Sequence, residues 1–159
     1  MKPLPSVDAV PLFPEERAAL LGLLRSLTPE QWALPTVCDG WSVKDIAAHL
    51  VSDDLGRLAA LRDGYGDGRF QPASRETAQK EFAAWINARN ESWVEAMRRL
   101  SPRMIIDMLV WTGSETQAFF EAVDPDKSDG FAVTWAGETE SANWFDLARE
   151  YTERWHHQA

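Results

Sequence analysis

The 159-residue chain has a single cysteine, Cys38, so no disulfide can close within it. That scarcity fits a reducing compartment. No stretch approaches ~18 uninterrupted apolar residues, so the pattern holds no membrane-spanning helix. The opening MKPLPSVDAVPLFP sets prolines where a signal peptide needs an apolar run. A cytoplasmic protein with no membrane partner is expected. Positive charge is also short: 16 Lys and Arg stand against 25 Asp and Glu, for a net charge of −9. Surfaces that hold nucleic-acid phosphates are rich in Lys and Arg, so nucleic acid is not an expected partner. Histidine is also scarce, with three in the chain, and two of those are adjacent, His156 and His157.

What is present suits a globular protein. The hydrophobic fraction of 45% and charged fraction of 26% are ordinary, and the length buries a core without disulfides or a structural metal. The eight tryptophans are expected mostly in that core. Residues 1–13 read as an extended lead-in, and 14–159 as one helical domain.

The apolar spacing predicts helices over roughly 14–27, 43–63, 75–100, 102–123 and 144–158. Pro14 and the acids after it suit a first turn. Thr28 and Pro29 open a short extra turn, TPEQW. Pro35, Asp39 and Gly40 mark a loop, and Ser42 with Asp45 forms a capping box in which Asp replaces the usual Glu or Gln. Ser74 and Asn143 are the expected caps of the third and last long helices. Gly113 marks a possible kink in the fourth. FAVTWAG alternates Phe131, Val133 and Trp135, as a short strand or extended lid would. The class is all-α: a four-helix bundle with a short additional helix and a small extended segment before the last helix.

His49 lies about 60° from Ile46 on a helical wheel, at the edge of an apolar stripe, with Asp53 one turn on. On the terminal helix Trp144, Ala148, Tyr151 and Trp155 form the apolar stripe. Glu153 and His157, four residues apart, point nearly the opposite way with Asp146 and Glu150. That face is either solvated or the lining of a cleft. His156 falls between the two faces. Two imidazoles and one carboxylate would make a three-ligand site with an open fourth position, the pattern of catalytic rather than structural zinc.

The stretch LTPEQWALPTVCDGWSVKDIAAHL, through Trp32, Pro35-Thr36, Gly40-Trp41-Ser42-Val43, Asp45 and His49-Leu50, resembles the N-terminal signature of the mycothiol-dependent maleylpyruvate isomerase-like proteins. These belong to the DinB/YfiT-like superfamily of metal-binding four-helix bundles. The terminal YTERWHHQ is similar to the family's second metal motif. The resemblance implies a divalent ion, zinc first and nickel or another as alternatives, held by His49, Glu153 and His157. Asp45 and Asp53 are candidates to orient His49, and Trp135 and Tyr151 are candidate pocket walls. Cys38 reads as a small buried hydrophobe.

The resemblance further implies a low-molecular-weight thiol such as mycothiol or bacillithiol as cosubstrate, attacking a small-molecule electrophile in S-transfer or isomerisation. A homodimer is the family expectation. The family's isomerases carry an additional C-terminal domain, whereas this sequence stops two residues after His157. Maleylpyruvate isomerisation is therefore not the specific reaction expected. A metal-dependent hydrolase and a non-catalytic metal-binding bundle are the alternatives.

Overall fold

The computed structural model describes residues 5–66, 70, 73–74, 76–133 and 137–158. Among them the secondary structure is helical, with an isolated β-bridge between Pro35 and Ser42 and no strand. The helices are α1 (Phe13–Ser26), α2 (Pro29–Trp32), α3 (Val43–Arg57), α4 (Ala78–Met97), α5 (Pro102–Ala122) and α6 (Asn143–His156). A π-helical turn, Leu58–Arg62, extends α3. No helix among the described residues is long and apolar enough to cross a membrane.

Several ends differ from the sequence pattern. Val10–Leu12 is a 3-10 turn leading into α1, and Ala9 and Phe13 are buried, so the lead-in is packed by its last residues rather than extended throughout. α4 begins at Ala78 behind Thr77, and the Ser74 hydroxyl bonds to Thr77 instead of capping a helix at 75. Ala142 occupies the cap position of α6, while the Asn143 side chain donates to the Asp124 carbonyl across the preceding loop. α5 passes through Gly113 as continuous helix. There the absent Cβ leaves room for Arg17, whose Nε lies 3.1 Å from where that atom would sit. Residues 131–133 form no strand, and Trp135 lies outside the described residues.

α3 is central, packed against α4 on one side and α5 on the other, with α1 against α5. A main core joins Leu20, Leu24, Ala47, Leu50, Val51, Met97, Ile105 and Leu109. A smaller one joins Ala9, Phe13, Phe120 and Leu147. Along α1 the order is Phe13, then Glu16 and Arg17, then Leu20 and Leu24. Along α5 it is Ile105 and Leu109, then Thr112 and Thr116, then Phe120. A polar layer therefore separates the two apolar clusters.

That layer is a charge network. Arg17 grips both oxygens of Asp54, at 3.0 and 2.9 Å, and Thr112 donates to the same carboxylate. Arg57 donates to Asp146 at 2.6 Å and to Glu150 at 2.7 Å. Arg154 pairs with Glu150 at 2.8 Å and Asp54 at 2.6 Å, its guanidinium lying over Phe13 and Phe120. Each of these buried carboxylates thus has an arginine against it, and Asp146 has Arg149 as well at 3.5 Å, as burial of charge requires.

This network inverts the reading of the last helix. The buried residues of α6 are Asn143, Asp146, Leu147, Glu150 and Arg154, whereas Trp155 is 54% exposed. The acidic face points inward because Arg57 and Arg154 neutralise it. The tryptophans likewise depart from expectation. Of those described, Trp32 is buried, Trp41, Trp85, Trp93 and Trp144 are half-buried, and Trp111 and Trp155 are exposed.

Candidate metal centre

The position of His49 is decided where α3 starts. Gly40 takes φ +79°, a left-handed turn that favours glycine. Thr36 and Trp41 then close the loop backbone to backbone at 3.0 Å. Ser42 and Asp45 form the reciprocal capping box: the Ser42 hydroxyl accepts from the Asp45 amide, and Asp45 accepts from the Ser42 amide at 3.0 Å. Burial opposes the charged form of Asp45, but Arg98 and Ser42 outweigh it and hold its pKa below the ordinary value. Asp45 is thus spent on the cap and on Arg98, and does not orient His49.

Two turns after the cap, His49 is 6% exposed. Its ring lies 5.4 Å from that of Trp41, which is itself tied to Glu91 through Nε1 at 2.8 Å. Its Nδ1 is buried without a hydrogen-bond partner. Burial, and then the neighbouring His157, press the His49 pKa down to about 4, so the imidazole is neutral at pH 7 and able to act as a ligand.

From α6 come Glu153 and His157. Glu153 Oε1 lies 3.1 Å from His157 Nε2, and the His157 ring meets that of His49 edge-on at 5.0 Å. The hydrogen bond from His157 lowers the Glu153 pKa and favours its charged form. The end of α6 is anchored rather than loose, because the Gln158 side chain bonds to Glu16 on α1. Asp53, one turn beyond His49, sets Oδ2 3.3 Å from His49 Nε2. One donor atom from each of His49, Asp53, Glu153 and His157 lies within 4.8 Å of every other, an arrangement that could hold a metal ion.

The structure therefore gathers the three residues expected from sequence and adds Asp53 beside them. Burial first, then the charges of Glu150 and Glu153, push the Asp53 pKa well up. Crowded acceptors with a neutral imidazole are a donor set that a cation relieves. His156 stays outside, exposed and against Trp155. Cys38 is half-buried in its loop and takes no part in the cluster. Tyr151 packs edge-on to Phe13 at 5.6 Å in the smaller core, so it walls no pocket at this site. A cleft of about 380 Å³ lies at the other end of the α3–α6 groove, lined by Arg57, Phe119, Lys127, Asn143 and Asp146, and none of the four donors reaches it.

Next to the centre, Glu150 ties stability to pH. Burial would raise its pKa, but Arg57 and Arg154 outweigh that and bring it from 4.5 to about 2. A folded pKa below the unfolded one means stabilisation that is complete above pH 4.5 and is lost as pH falls toward 2. Circular dichroism of metal-free protein is expected to show stability declining across that window. In Glu150→Gln the decline should be shallower.

The fold and the cluster together define a helical bundle in which two helices, α3 and α6, bring histidines and carboxylates to one place that could hold a metal ion. The chain matches the family model described as mycothiol maleylpyruvate isomerase N-terminal domain over residues 13–159, and it belongs to that family. No curated protein and no solved structure matches it.

Proposed function

We propose that the chain is a divalent-metal-binding domain that works in thiol chemistry, as a thiol-dependent transferase or isomerase acting on a small electrophile. The observation that carries this reading is the meeting of His49, Glu153 and His157 in a member of a mycothiol-linked family.

His49, Glu153 and His157 would hold the ion, with zinc the first choice for two imidazoles and a carboxylate. A bound divalent ion stabilises a low-molecular-weight thiol of the mycothiol or bacillithiol type as its thiolate, the nucleophilic form. The residues of the chain decide access and protonation. His49, buried against Trp41, closes the floor of the site. Glu153, with its side chain 56% exposed, leaves the α6 edge open to an arriving thiol and electrophile. Arg57 and Arg154 are engaged with Asp54, Asp146 and Glu150, so neither competes for the cluster.

Purified protein is expected to carry about one divalent ion per chain. It should consume an electrophilic test substrate only when mycothiol or bacillithiol is supplied. Turnover that ignores the thiol would replace this reading with metal-dependent hydrolysis. Bound metal with no turnover under either condition would leave a non-catalytic bundle.

A further inference from the structure

We propose that Asp53 is a fourth protein donor, so that the site is a set of two histidines and two carboxylates rather than three residues. This rests on the metal reading above and deepens it.

The first ground is the fate of the acids on α3. Asp45 is committed to the Ser42 cap and Arg98. Asp54 is committed to Arg17, Arg154 and Thr112. Asp53, between His49 and the charge layer, pairs with no Lys or Arg among the described residues, and its polar contact is His49 Nε2 at 3.3 Å. The cation that acts on Asp53 from α6, Arg154, is already held by Asp54 and Glu150. A carboxylate with its side chain 30% exposed, facing other carboxylates and lacking a cation of its own, is placed for one that arrives from outside.

The second ground is distance. Ligand atoms about 2.0–2.1 Å from a tetrahedral ion stand about 3.3 Å from one another. The Asp53–His49 pair is separated by 3.3 Å and the Glu153–His157 pair by 3.1 Å. Each helix thus presents a donor pair, one turn apart, at the spacing of a coordination edge, and the pairs face each other across the α3–α6 groove. The third ground is charge. Two carboxylates neutralise a divalent ion, whereas Glu153 alone would leave a net positive charge beside the buried His49 ring. A thiol reaching an ion held by all four would be a fifth ligand, which zinc accepts by expanding its coordination.

The test is a zinc titration of wild type, Asp53→Ala and Asp53→Asn against a chromophoric chelator, with the visible spectrum of each protein loaded with cobalt(II). Removing a partner that merely supports a ligand costs about 10–100-fold in affinity. Loss of a direct donor should therefore weaken zinc binding about 100-fold or more in Asp53→Ala, and shift the cobalt bands in both variants. The metal-free variants should melt at or above the wild-type temperature, because a crowded carboxylate has gone. This separates weak binding from misfolding, and the near-isosteric Asp53→Asn guards the comparison. Any loss of zinc affinity below about 100-fold with unchanged cobalt bands overturns the proposal: Asp53 then at most orients His49, and the three-residue site stands. Wild-type protein that binds no divalent ion overturns the metal reading itself.

Discussion

Arg154→Met is expected to cost the fold about 3–5 kcal/mol, the usual penalty for removing one partner from a buried ionic group. The guanidinium is 3% exposed, bridges Asp54 and Glu150, and covers the rings of Phe13 and Phe120. Methionine restores much of the apolar contact and none of the charge. Asp54 keeps Arg17 and Thr112, and Glu150 keeps Arg57, but the two buried carboxylates lose the cation that bridges them. A protein of this size loses roughly 2–4 °C of melting temperature per kcal/mol, so a drop on the order of 10 °C follows. Urea or thermal unfolding measures it. A shift of no more than about 2 °C would mean the network adds little net stability, as some buried ion pairs do when replaced entirely by apolar residues.

His49→Ala should have a different signature: the metal is lost and the fold is kept. A direct ligand is worth more than the about 10–100-fold of an outer partner, so zinc affinity should fall by at least about 100-fold, and thiol-dependent turnover with it. The metal-free protein should melt within a few degrees of wild type. The substitution loses packing against Trp41 and His157, but it also removes a buried Nδ1 that has no partner. Metal content, chelator competition and calorimetry on the same samples decide the matter. Full metal occupancy together with wild-type turnover in His49→Ala would sink the site.

The contrast between these variants mirrors what the sequence showed and what it hid. The N-terminal half of the site was legible, since Gly40, Ser42 and Asp45 are local signals within a few residues of one another, and together they aim His49. The last helix was half legible: its motif gave Glu153 and His157, but its wheel, scored by hydropathy, left the acidic face either solvated or lining a cleft. Asp146, Glu150 and Arg154 look solvated until Arg57 and Asp54, nearly a hundred residues earlier, are brought against them. The one local hint was Arg154 a turn after Glu150, an i,i+4 pair that is usually found on exposed faces. The tryptophans failed for a related reason. Trp41 and Trp93 spend their N–H groups on Glu91 and the Ala48 carbonyl near the surface, where a ring half in and half out is satisfied. Asp53 was legible as a neighbour of His49. That it faces the same point as Glu153 and His157 required the packing of α6.

The polar layer between the two apolar clusters has one further effect. Helices that meet through leucine-like ridges settle about 8–10 Å apart, axis to axis. The backbones of α3 and α6 approach each other little, and long guanidinium arms from Arg57 and Arg154 span the distance between them. Those arms behave as struts of set length, propping two walls apart just below the ledge where the imidazoles and carboxylates gather. The spacing of the two helices there is thus held by arginine arms and their carboxylates, where an apolar seam would have set it by side-chain ridges.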